Sequence, residues 1–282
     1  MLTKLIVEVV EVVERYSLRL PFSFMINRIL NLIFFGILPK YKISQLTTME
    51  HYLSDTIYIQ DNKTYSNCKQ VKRHNWHQLL AELGWSKLHK QWITRLNKVH
   101  NPYPNNSLFG CLECGDDGDC LFHCIASSLN STQQDYYEAS DIRRLVAESI
   151  TQEQYNQIIS CYRSMKDLDD FEESWDPYSI DSLEDFKQQV MTSGNVYWGD
   201  YLLIQLLIQT LTINLFILTQ NEFTDTYEPY PLMTIYDKDK PTIILLHENG
   251  AHFQLIGHFQ DIMKTHFTHQ DLPLEIKGLF DV

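Results

Sequence analysis

The ten residues Gly115-Asp-Asp-Gly-Asp-Cys-Leu-Phe-His-Cys124 constrain this chain more than any other stretch. Asp and Gly crowd the positions ahead of Cys120, and both residue types favour tight turns. Leu121, Phe122, Ile125, Ala126 and Leu129 then recur at helical spacing. The pattern predicts a buried helix that opens at Cys120 and is entered through an Asp-Gly turn. A sulfur at that position meets the unpaired N–H groups and partial positive charge of a helix N-terminus, which favour the thiolate. Backbone N–H groups of Gly118, Asp119 and Cys120 in the same turn can converge on a developing oxyanion.

A nucleophilic thiol needs a base, and His252 is the best placed of the eleven histidines. Thr242-Ile-Ile-Leu-Leu-His247 is strand-like, Glu248-Asn-Gly-Ala251 carries a hairpin turn, and His252-Phe-Gln-Leu-Ile-Gly-His258 alternates as a second strand. His252 therefore opens a strand at a sheet edge. Gln254, two residues on, shares its face and is a candidate to hold the imidazole by its far nitrogen. His258 shares that face too, but six residues at about 3.3 Å each place it roughly 20 Å away from the same sulfur.

The run Asp117-Gly118-Asp119-Cys120-Leu121-Phe122, the later Trp198-Gly199 ahead of an apolar helix, and Leu245-Leu246-His247 followed by His252-Phe253 resemble the ovarian tumour (OTU) family of cysteine proteases, whose members are deubiquitinases. The resemblance covers residues 108–260. It implies an α/β fold in which a small, mostly antiparallel or mixed central sheet lies between helical layers, here preceded by a helical N-terminal extension. By position, Cys120 resembles the nucleophile, His252 the general base and Asp117 the acidic residue of the cysteine loop. The family commonly has Asp or Asn two residues after the histidine, where this chain has Gln254. The third role is thus open between Gln254, Asn249 and Asp117. The implied reaction is thiol-dependent hydrolysis at the C-terminal glycine of ubiquitin or a ubiquitin-like modifier, with conjugates of that protein as partners and no cofactor or metal. The competing expectation is a catalytically silent ubiquitin-binding scaffold that keeps the fold.

Zinc is the main rival for the cysteines. Cys111-x-x-Cys114 is a valid half-site, but Cys120 and Cys124 share one face of the expected helix, and the whole set is compressed into fourteen residues. Cys124 reads better as a small buried apolar residue and His123 as a neighbour of the site. Six cysteines in 282 residues, four of them crowded together, do not make an extracellular disulfide framework. No secretory signal is visible, because Glu8 and Glu11 interrupt the first apolar stretch, and a reducing intracellular compartment is expected.

Charge divides the chain. Residues 1–110 carry 14 Lys and Arg against 7 Asp and Glu, while residues 111–282 carry 9 against 29. So acidic a domain is ill-suited to a phosphate backbone, and no nucleic-acid partner is expected; a basic protein tail suits it better. The run Lys166-Asp-Leu-Asp-Asp-Phe-Glu-Glu-Ser-Trp-Asp-Pro-Tyr178 reads first as a solvated loop or helix start. The family resemblance adds a second expectation, that Asp169, Asp170, Glu172 and Glu173 attract the basic ubiquitin tail. Trp198 reads as core packing where the chain enters the apolar helix that begins near Asp200, with substrate contact as the alternative.

Four regions are expected. Residues 1–40 hold an amphipathic helix and then an apolar segment from Pro21 to Leu38, in which Ser23, Asn27, Arg28 and Asn31 form one polar stripe. A central Arg costs roughly 2.5–3.5 kcal/mol on membrane insertion. The stripe suits a helix packed on the protein or one lying in a membrane interface, ahead of a true span. Residues 41–107 read as a basic helical region, ending in the loop Asn101-Pro-Tyr-Pro-Asn-Asn-Ser107 as a domain boundary. The catalytic domain covers 108–260 and a C-terminal tail 261–282.

Overall fold

The computed structural model describes residues 50–100, 107–115, 118–131, 136–171, 175–194, 197, 199–232 and 234–282. The chain forms two compact units, Met1–Thr48 and Met49–Val282. The apolar and amphipathic segments expected within 1–40 belong to the first and lie outside the described residues, as do Asp117, Glu172, Glu173 and Trp198. Among the described residues, no helix is long and apolar enough to cross a membrane.

The second unit begins with a four-stranded antiparallel meander, β1 (His51–Tyr52), β2 (Ile57–Gln60), β3 (Lys63–Ser66) and β4 (Lys69–Gln70). This corrects the helical reading of 41–107 for residues 51–70, whereas Trp76–Leu79 and Lys90–Val99 are helical. The cause is local: Asp61 and Asn62, then Asn67 and Cys68, all take positive φ and close two-residue hairpin loops. Alternation does the rest, with Ile57 and Thr64 buried while Tyr58 and Tyr65 stack on the other face at 5.3 Å.

A short helix α1 (Trp76–Leu79) leads to strand β5 (Trp85–Lys87), helix α2 (Lys90–Val99) and strand β6 (Phe109–Leu112). Five helices follow: α3 (Cys120–Asn130), α4 (Ala139–Ser149), α5 (Gln152–Asp167), α6 (Leu183–Met191) and α7 (Tyr201–Leu211). The chain closes with β7 (Asn214–Asn221), β8 (Thr226–Pro229), β9 (Thr242–Glu248), β10 (His252–Phe259), β11 (Met263–Lys264), β12 (His266–Phe267) and α8 (Leu274–Phe280). The main sheet runs β5-β6-β10-β9-β7-β8, with β11 on β10 and β12 on β9. Among the described residues only β7 and β9 pair in parallel, so the sheet is mixed, as expected.

Central strands are apolar on both faces because each face is covered. Leu215, Ile217, Ile243, Leu245, Phe253 and Leu255 face a core built with helices α3 to α7. Phe216, Leu218, Ile244, Leu246 and Ile256 face a second core containing Trp92 and Leu96 of α2 and Ile276 of α8. These contacts revise the expected boundaries. Strand β5 hydrogen-bonds β6 from the other side of the expected boundary, and residues 261–282 contribute two strands and the helix that covers the second core. The basic stretch and the C-terminal tail are parts of one body because the second face of the sheet has to be covered.

Candidate active site

Cys120 is the first residue of α3, as its spacing predicts. Gly118, at φ 78°, and Asp119 make the turn into it. A left-handed residue costs glycine little, which is what allows the chain to enter the helix so tightly. The thiol is 6% exposed, and its sulfur accepts a hydrogen bond from the Phe253 N–H at 3.4 Å. Burial pushes the thiol above its ordinary range, and the N–H groups of Phe253 and Leu121 offset only part of that rise. The net direction is opposite to the one expected from the helix N-terminus alone, since desolvation of the thiolate outweighs the N–H groups that face the sulfur.

His252 opens β10 directly after the Asn249-Gly250 turn, in which both residues take positive φ. Its neighbour Phe253 supplies the N–H on the sulfur, so the strand that carries the imidazole also touches the thiol through its backbone. Imidazole Nε2 lies 2.5 Å from Oε1 of Glu113, and the Gln254 amide donates to Oε2 of the same carboxylate at 3.0 Å. Gln254 thus holds Glu113 where the sequence suggested it would hold the histidine. Glu113 was missed because its position depends on strand pairing. Leu112 of β6 lies opposite Leu255 of β10, so the next residue along β6 arrives beside Gln254 and within reach of His252. No local motif reports a register between strands so far apart.

Asn249 serves the turn. Its Oδ1 accepts from the Glu222 N–H at 3.0 Å, and its own N–H donates to the Gln220 carbonyl at 2.6 Å. Asp119 has its side chain engaged elsewhere: Oδ1 accepts from Arg143 Nε at 2.6 Å and Oδ2 from the Gly194 N–H at 3.2 Å. The wholly buried Arg143 also donates to the carbonyls of Val190 at 3.0 Å and Tyr197 at 3.1 Å, and lies 4.0 Å over the Phe122 ring. One guanidinium therefore ties the cysteine turn to the end of α6 and the loop before α7.

Gly199 has a steric reason to lack a side chain. A Cβ there would lie 2.6 Å from Leu121 Cδ2 and 3.2 Å from Phe253 Cε2, the residues that follow Cys120 and His252. The cysteine cluster is divided by the sheet. Cys111 packs into the second core and faces Ser86, while Cys114 and Cys124 belong to the first, with Cys124 donating to the Phe253 carbonyl at 3.5 Å. Asp169 and Asp170 are exposed just past α5, and the buried Tyr197 flanks the position of Trp198.

A cysteine at the start of a buried helix, together with a histidine that pairs with a carboxylate from the end of the neighbouring strand, supplies residue types that thiol hydrolysis uses. Residues 115–259, just over half of the chain, match the sequence profile of the OTU-like cysteine proteases, and the chain belongs to that family. No curated protein sequence matches it. Similar solved structures include an ovarian tumour (OTU) domain in complex with ubiquitin, at 20% identity and TM-score 0.38, covering 61% of this chain and 80% of that one. An OTU deubiquitinase from Wolbachia pipientis wMel has 17% identity and TM-score 0.37, with coverage of 57% and 94%. The Hazara virus OTU bound to ubiquitin has 11% identity and TM-score 0.34, with coverage of 76% and 96%.

Proposed function

We propose that this protein is a deubiquitinase: a thiol hydrolase that cleaves the isopeptide or peptide bond after the C-terminal glycine of ubiquitin or a ubiquitin-like modifier. Family membership supports the reading, and the observation that carries it is the seating of the Cys120 sulfur against the Phe253 N–H, one residue beyond His252. His252 takes the thiol proton as the sulfur attacks the glycine carbonyl carbon, then gives it to the departing amine. Backbone N–H groups of the Gly118–Cys120 turn stabilise the oxyanion, and water, deprotonated by His252, releases the thioester. A ubiquitin probe with a thiol-reactive C-terminus tests this. Covalent capture that vanishes in Cys120→Ala is the expected result, and an uncaptured wild-type protein defeats the proposal.

The near-complete burial of Cys120 and its raised thiol favour a second reading, a silent ubiquitin-binding protein. That reading expects ubiquitin binding with no capture. Three further roles belong to the main proposal. The acidic run, with Asp169 and Asp170 exposed and Glu172 and Glu173 beside them in sequence, attracts the basic ubiquitin tail. Neutralising the four raises KM for ubiquitin substrates at low salt more than it lowers kcat; an unchanged KM and salt response removes the role. Trp198 contributes at the loop before α7, and residues 1–40 associate with a membrane surface. Deleting 1–40 would release the protein from a membrane fraction, whereas a full-length protein found wholly in the soluble fraction contradicts that association.

A further inference from the structure

We propose that Glu113, reaching His252 from the neighbouring strand, is the positioning carboxylate of the catalytic histidine, and that Gln254 holds Glu113 for this task. The proposal rests on the thiol hydrolase reading above and names the residue on which its third role falls.

The chemistry of the three side chains supports it. An ionised carboxylate only accepts hydrogen bonds, so a Glu113 oxygen 2.5 Å from Nε2 requires that nitrogen to carry the proton. The neutral imidazole then has its lone pair on Nδ1, the nitrogen left to receive a proton from Cys120. When His252 does so it becomes an imidazolium, and the carboxylate at its far side stabilises the charge at the moment it forms. A glutamine cannot supply that charge. The Gln254 amide donates to the second oxygen of Glu113 at 3.0 Å, which fixes the carboxylate plane against the ring. The geometry follows from the sheet: β6 and β10 pair antiparallel up to Leu112 and Leu255, so the following residue of β6 arrives beside Gln254 without a loop excursion.

A merely structural ion pair is the alternative. The Glu113 side chain is 53% exposed and that of His252 25%, and a pair so open to water adds little to stability. Replacing Glu113 should therefore leave the fold intact and act on turnover.

The test is steady-state hydrolysis of a ubiquitin C-terminal coumarin amide by the full chain. Glu113→Gln is expected to lower kcat by at least about tenfold while KM moves less than about threefold, because the lost interaction strengthens in the transition state. Glu113→Asp, and Gln254→Asp placed in the Glu113→Gln background, should each recover part of the lost kcat by returning a carboxylate to the imidazole. A kcat for Glu113→Gln within about twofold of wild type overturns the proposal. So does a loss that neither carboxylate variant recovers while thermal melting is unchanged. In both of those cases the wild-type enzyme is active and the thiol hydrolase reading stands. A wild-type protein that neither turns over the substrate nor is captured at Cys120 by the reactive ubiquitin probe removes both proposals.

Discussion

The Arg143 guanidinium lies 2.5 Å from the Asp119 carboxylate, which precedes Cys120 in the chain, and the arginine side chain is wholly closed to solvent. Buried charges are tolerated only when paired and fully hydrogen-bonded. Arg143 meets that condition with Asp119 and the backbone carbonyls of Val190, Tyr197 and Gly118, so three separate segments share one cation.

Removing one partner leaves the other charge buried and alone. Arg143→Ala is expected to cost about 3–5 kcal/mol in urea unfolding, with loss of probe capture at Cys120, while Asp119→Asn, which keeps the shape and one acceptor, costs less. Equal stability of Arg143→Ala and wild type would show that the clamp does not hold the turn.

Gly199→Ala tests the contact between the loop before α7 and the catalytic elements. The new methyl must displace Leu121 or Phe253, and overpacking of this kind costs about 1–3 kcal/mol. Activity should fall further than the shift in melting temperature explains, because the displaced residues adjoin Cys120 and His252, the groups proposed to react. Gly250→Ala is a suitable control. Its backbone, at φ 73°, strains any added side chain, but a Cβ there would meet nothing within 4 Å, so it separates backbone strain from the steric contact at Gly199.

Stability should depend on pH through His258. Burial lowers its pKa from 6.5 to about 4, with repulsion from Arg73 adding to the effect. Its ring packs on Phe109, Gln260 hydrogen-bonds its Nδ1, and Lys264 lies opposite in register. The unfolded chain therefore binds a proton near pH 6.5 that the folded chain refuses until about pH 4. The stabilisation is fully present above pH 6.5 and is lost as pH falls toward 4, a change of about 3 kcal/mol. His247 and His266, also lowered by burial, act in the same direction. Urea midpoints at pH 7 and pH 5 should diverge in wild type and differ by less in His258→Gln, with the remainder left to His247 and His266.

Thiol reactivity in the free protein should follow burial. At pH 7 a small haloacetamide is expected to modify the exposed Cys68 and Cys161 before Cys120, whose pKa burial raises. Cys124, buried and raised further, should resist longest. Peptide mass mapping over time reads the order, and an early Cys120 adduct would mean that the imidazole has already taken its proton.

Legibility from sequence tracked the range of the determining interaction. The start of α3 at Cys120, the Asn249-Gly250 turn, the β9–β10 hairpin and the Asp200 cap of α7 all follow from a few neighbouring residues. The meander at β1–β4 was equally local. Its signal, alternating Ile57-Tyr-Ile-Gln60 before Asp61-Asn62, was masked by the apolar runs and tryptophans on either side. Glu113 and Arg143 are of another kind. A lone glutamate past a short strand and an arginine within Ile142-Arg-Arg-Leu145 look like ordinary surface charges, and only tertiary pairing gives each its partner. The raised Cys120 thiol belongs with them, because desolvation depends on what covers the sulfur.

Strand β6 precedes Cys120, strand β10 carries His252, and the two lie side by side although about half of the chain is threaded between them. Closing so long a loop is entropically slow, and it must precede the contacts that reward it. On a ribosome the cysteine turn emerges well before its histidine strand exists. The nascent protein thus exposes its thiol before the strand that carries His252 is made, and the proposed thiol–imidazole site can assemble only in a late step of folding.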